Sequence, residues 1–127
     1  MVAPKILIID DSATVRMFMV RALQKMGCQI SLASNGTEGL QKAVQERPHC
    51  VILDVVLPGL NGYSLCRLLR AMDPAHDLAI IMISSKSTQV DQKWGLRQGA
   101  DRYLPKPFTE EELIVTVKEV LNTTIHP

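Results

Sequence analysis

The sequence predicts an α/β protein, a doubly wound domain in which five parallel strands carry helices on both faces. Three observations lead there. Cys50, Val51, Ile52 and Leu53 are consecutive apolar residues ending in Asp54, the pattern of a strand buried on both faces. Apolar runs of this kind alternate with segments of helical period along the chain, which implies right-handed crossovers between parallel strands. Turn formers follow the runs at once, as Pro58, Gly59 and Asn61 with Gly62 do after Asp54.

In order, residues 5–9 form a first strand that ends in Asp10, Asp11 and Ser12. Residues 13–26 run at helical period, with Val15, Phe18, Met19, Ala22, Leu23 and Met26 on one face. Ser12 is the N-cap and Gly27 the residue just past the helix end. Residues 28–33 read as a second strand, Asn35 and Gly36 as a turn, and residues 37–46 as a helix stopped by Pro48. The Asp54 strand is third, and a helix capped by Asn61 follows over 62–72. Residues 79–83 are a fourth strand ending in Ser84, Ser85 and Lys86. A more polar helix covers 88–98 and closes at Gly99, with Val90, Trp94 and Leu96 as its few apolar residues. Residues 102–104 make a short fifth strand leading into Pro105, Lys106, Pro107 and Phe108. Thr109 and Glu112 have the spacing of a capping box, and the last helix runs to about Leu121. One domain over 1–127 is expected, with its core at 5–121 and a frayed tail at 122–127.

The 127 residues suffice for one domain with its own core. A net charge of +1, with acids and bases interspersed, removes the electrostatic case for nucleic acid or a membrane surface as partner. No apolar run approaches the roughly 20 residues of a membrane helix, and the first residues lead directly into a strand instead of forming a signal peptide. The expected setting is cytoplasmic. Cys28, Cys50 and Cys66 lack metal-ligand spacing and read as small buried hydrophobes. His49, His76 and His126 are scattered, and no role is assigned to them.

Polar residues gather where strands end: Asp10 and Asp11 after the first, Asp54 on the third, Ser84 after the fourth and Lys106 after the fifth. In open α/β sheets the ligand crevice lies outside the carboxyl ends of the strands. Should strands one and three be neighbours, the three carboxylates converge and repel one another. A hard cation such as Mg²⁺, which takes oxygen ligands, resolves that repulsion. Asp54 could then serve as a nucleophile towards phosphorus, with the Lys106 ammonium and the Ser84 hydroxyl meeting the phosphoryl oxygens. Taken singly, Asp10 and Asp11 could cap the first helix, Ser84 could be a cap, and Lys106 a solvated charge. Jointly they favour a functional site.

On these residues the chain resembles the receiver domain of two-component response regulators. The likeness is carried by Asp10 and Asp11, by Asp54 with Leu57, Pro58, Gly59, Leu60, Asn61 and Gly62, by Ser84, and by Gly99, Ala100 and Asp101 leading to Lys106, Pro107 and Phe108. It spans residues 5 to about 121. The resemblance implies a flavodoxin-like fold with strand order 2-1-3-4-5. It implies Asp54 as phosphoryl acceptor and Mg²⁺ held by Asp11, Asp54 and the Val56 backbone carbonyl, with Asp10 orienting it through water. It implies that Lys106 contacts the phosphoryl group, that the Lys106–Pro107 peptide is cis, and that Ser84 and Tyr103 form the switch. A packed strand aromatic with its hydroxyl in solvent is the plainer reading of Tyr103. Val56 and Lys86 stand where the family varies and tunes phosphoryl lifetime.

The implied function is a signalling switch. A histidine kinase or phosphotransfer protein donates a phosphoryl to Asp54, and the face of the fourth helix, fifth strand and fifth helix changes for a downstream protein. Slow autodephosphorylation resets it. Such a protein is not an enzyme in the usual sense, although it catalyses its own phosphorylation and dephosphorylation. A stand-alone receiver of chemotaxis or motility type is expected, with a receiver cut from a longer regulator as the alternative. An aspartate-nucleophile phosphohydrolase ranks lower, since Val56 stands where its general acid would. A flavin module ranks lower too, since Asp10 and Asp11 would repel its phosphate.

Overall fold

The computed structural model describes residues 3–125. Strands and helices alternate as β1 (Lys5–Ile9), α1 (Ala13–Gln24), β2 (Gln29–Ala33), α2 (Gly36–Glu46), β3 (Cys50–Asp54), α3 (Gly62–Ala71), β4 (Ala79–Ser84), α4 (Gln89–Arg97), β5 (Arg102–Pro105) and α5 (Glu110–Ile125). All pairings are parallel, and the sheet order is β2-β1-β3-β4-β5. Parallel strands covered on both faces must be apolar throughout, and every residue of β3 and β4 is buried.

Alternate strand residues point to opposite sides and so build two cores. Ile6, Ile8, Ile52, Ile81 and Ile83 pack with Met19, Ala22 and Leu23 of α1 and with Leu113, Val117 and Val120 of α5. Leu7, Ile9, Val51, Leu53 and Met82 pack on the other side with Ala43 of α2 and Leu65 and Leu69 of α3.

Several boundaries differ from expectation, each for a local reason. Helix α1 ends at Gln24, because Lys25 caps it and the N–H groups of Met26 and Gly27 bond back to Leu23 and Gln24 in a tighter turn. Gly27, at φ +74°, therefore lies beyond that turn, while Met26 still packs on the core. Asn35 and Gly36 are a helix start instead of a turn, since the Asn35 side chain accepts the Glu38 N–H. Strand β4 includes Ser84, whose carbonyl accepts the Lys106 N–H at 2.8 Å. Helix α5 continues to Ile125 instead of ending near Leu121, as no Gly or Pro interrupts it before Pro127. Residues 122–125 of the expected tail are thus helical, and 126–127 lie outside the described residues, as does His126.

The Ser12 cap, the Asn61 cap and the Thr109–Glu112 box form as read. A second box, Thr88 with Asp91, closes the amino end of α4. The three thiols are free, and burial raises all of them, Cys66 to about 11.

Candidate functional site

Strands β1 and β3 are neighbours, and the register that pairs Ile9 with Leu53 sets Asp10 beside Asp54 at the carboxyl edge of the sheet. One oxygen each of Asp10, Asp11 and Asp54 lies within 4.8 Å of the others. Asp10 is 0% exposed and Asp54 6%, whereas Asp11 opens to solvent.

Lys106 closes the group. Its Nζ stands 2.9 Å from Asp10 Oδ2 and 3.0 Å from Asp54 Oδ2. The Lys106 main chain is fixed on one side by the bond to Ser84, and the Lys106–Pro107 peptide is cis. Burial raises the Asp54 carboxyl above its ordinary range, and the Asp10 charge adds to the rise, outweighing Lys106 and the Val56 N–H. Burial would lower Lys106, but its hydrogen bonds to Asp10 and Asp54 and their charges raise it.

Beyond Asp54 the chain turns under tight constraint. A Cβ at Gly62 would stand 2.2 Å from the Asp54 carbonyl oxygen, so only glycine lets α3 start this close to the acid. The Val56 N–H donates to Asp54 Oδ1 at 3.2 Å, and the Val56 side chain is 55% exposed. The expected carbonyl ligand is thus in the peptide run adjoining the acid.

Ser84 is buried at the end of β4, the strand beside β3. Its Oγ accepts the Lys86 N–H at 3.0 Å. The Lys86 carbonyl in turn accepts the Tyr103 hydroxyl at a solvent-accessible position. Burial pushes the Tyr103 phenol up to about 12, with Ser84 pulling the other way. The Lys86 main chain therefore joins Ser84 to Tyr103, a link that depends on backbone geometry and leaves no mark in the sequence.

The structure brings Asp10, Asp11, Asp54 and Lys106 into one cluster, with Ser84 and Tyr103 linked one strand away. Arg16 was not anticipated: its guanidinium donates to the Asp10 carbonyl at 2.7 Å. The available signal was a cation in the first turn of a helix, where the helix dipole disfavours it. The donor set fits magnesium, being three carboxylates with one facing water. A cavity of about 430 Å³ lined by Ala43, Arg47, His49, Leu69, Met72 and Leu78 lies at the opposite edge of the sheet, away from the acids. Among the described residues no helix is long and apolar enough to cross a membrane.

Fold and site together define a doubly wound α/β domain with an acid-and-lysine cluster at the strand-order reversal. The family described as "Response regulator receiver domain" matches residues 6–118, and the chain belongs to that family. It is 41% identical to protein PilH of Pseudomonas aeruginosa over 92% of this chain and 97% of that one. It is 39% identical to the transcriptional regulatory protein PrrA of Mycobacterium leprae over 94% of this chain but 50% of that protein. Chemotaxis protein CheY4 of Vibrio cholerae superposes with a TM-score of 0.87 at 30% identity, covering 94% of this chain and 100% of that chain. A putative response regulator from Chloroflexus aurantiacus superposes at 0.89 with 34% identity, covering 94% and 98%. This is a receiver domain of the two-component kind, a class that interacts with histidine kinases or other phosphodonors and with downstream targets.

Proposed function

We propose that this domain is a phosphorylation switch in which Asp54 accepts a phosphoryl group from a histidine kinase or phosphotransfer protein. The observation that carries this reading is Lys106 Nζ set between Asp10 and Asp54, with Asp11 completing the acidic cluster. Asp54 Oδ attacks phosphorus, the P–N bond of the phosphohistidine breaks, and its electron pair stays on the donor nitrogen. Asp11, Asp54 and the Val56 carbonyl are the residues that would hold Mg²⁺, with Asp10 acting through water. Bound there, the ion supplies positive charge to the carboxylates and the phosphoryl oxygens.

Lys106 provides an ammonium already held beside the acceptor carboxylate, within reach of a phosphoryl oxygen once transfer has occurred. Ser84 offers a hydroxyl proton to a phosphoryl oxygen. Turning towards it weakens the bond from the Lys86 N–H, and the Lys86 carbonyl carries the change to Tyr103. The resulting population shift is read on α4, β5 and α5, where Val90, Trp94, Leu96 and Val115 are exposed apolar side chains suited to a protein partner. Val56, being apolar, cannot direct a water at the phosphoryl, and slow autodephosphorylation resets the switch. A single domain over residues 1–127, with its core at 5–121, contains all these parts, and a cytoplasmic setting follows from a kinase donor.

The test is incubation with acetyl phosphate and Mg²⁺ followed by intact mass. The expected result is one added phosphoryl, lost with chelator and lost in Asp54→Asn. Unchanged labelling of Asp54→Asn would overturn the assignment.

A further inference from the structure

Every polar group of Asp10 has a partner. Its N–H donates to the Ala33 carbonyl at 3.1 Å, Oδ1 accepts the Ser12 N–H at 2.8 Å, and Oδ2 meets Lys106 at 2.9 Å. The carbonyl alone looks to α1, where Arg16 donates to it at 2.7 Å. A cation in that first turn opposes the positive end of the helix dipole, so its place there calls for some other gain. Satisfying a carbonyl is one gain; the geometry offers a second. The Asp10 carbonyl and the Asp11 N–H belong to one rigid plane. Pinning the oxygen therefore fixes the plane from which the Asp11 side chain departs, and Asp11 is the exposed member of the acid cluster, without burial to hold it.

We infer that Arg16 is a positioning residue for the magnesium site, orienting Asp11 through the Asp10–Asp11 peptide. This rests on the reading that the three acids hold the ion. Supporting groups of this kind behind a metal ligand typically change affinity by tenfold or more.

Calorimetric titration with MgCl₂ of the wild type, Arg16→Met and Arg16→Lys tests it, with urea denaturation run alongside. Arg16→Met keeps the stem and loses the donor, and is expected to weaken magnesium binding roughly tenfold. Arg16→Lys keeps a donor and a charge and is expected to remain near wild type. Unchanged binding in Arg16→Met, even with a lower urea midpoint, would reduce Arg16 to a structural contact and overturn the inference. Tighter binding would overturn it too, because that is what removing a repelling charge alone would do. Should Arg16→Met fail to fold, Arg16→Gln, too short to reach the carbonyl, carries the same comparison. Wild type that takes up no magnesium would instead sink the underlying site reading, so the two failures are distinguishable.

Discussion

Tyr103 lies so close over Gly95 that a Cβ there would stand 2.7 Å from its Cδ2 and 2.8 Å from Met82 Sδ. The ring thus occupies a slot that exists only because α4 carries no side chain at this point. Gly95→Ala must push the ring outward or move the helix, and either breaks the bond from the Tyr103 hydroxyl to Lys86. The expected cost is about 1–3 kcal/mol of stability, the usual range for overpacking. A urea midpoint equal to wild type would show that the slot is not as tight as the geometry requires.

Asp54 sits in a site that disfavours its charge when no metal is present. Its folded carboxyl is raised by burial, so the folded state holds a proton more readily than the unfolded chain. Above the folded value both states are ionised and the charge counts against folding; that penalty fades as pH falls through the folded value. Asp54→Asn removes the charge while keeping the shape. The metal-free variant should therefore show a higher urea midpoint than wild type at pH 7, with the gap narrowing under acid. A lower midpoint would mean that the contact to Lys106 outweighs burial.

The amino end of α4 is closed by Thr88 and Asp91, each side chain bonding the other's backbone N–H. Thr88→Ala should cost about 1 kcal/mol, as loss of an N-cap usually does. Amide exchange over 89–91 should speed up, while exchange in β3 tracks only the global change. Exchange accelerated equally everywhere would argue against a local cap.

Sheet and acid cluster were legible for related reasons. Runs such as Cys50 to Leu53 can be stable only when covered on both faces, and an acid ending such a run must lie at the sheet's edge. Strand order was not legible from periodicity, which says nothing about neighbours; it came from the family resemblance, and the pairing of β1 with β3 bears it out. Helix ends were read less well because they depend on which side chain reaches which backbone group. Asn35 reads as a turn residue until its oxygen is seen on the Glu38 N–H. Arg16 and the Lys86 link escaped for the same reason, since each acts through a main-chain atom.

The cysteines follow their burial. Cys50 and Cys66 are enclosed and raised, Cys66 to about 11, while Cys28 is half-buried. Since the thiolate is the reactive form, iodoacetamide at pH 8 should label Cys28 first and leave Cys50 and Cys66 untouched until urea is added. Equal rates at all three in the native protein would contradict the packing of β3 and α3.

Among three neighbouring acids, Asp54 is the one proposed to carry the phosphoryl. Borohydride reduces an acyl phosphate to an alcohol, so a phosphorylated aspartate becomes homoserine and can be located by peptide mass. After acetyl phosphate and Mg²⁺, homoserine should appear at position 54 and nowhere else. Homoserine at position 10 or 11, or a phosphoryl that resists borohydride, would overturn the assignment to Asp54.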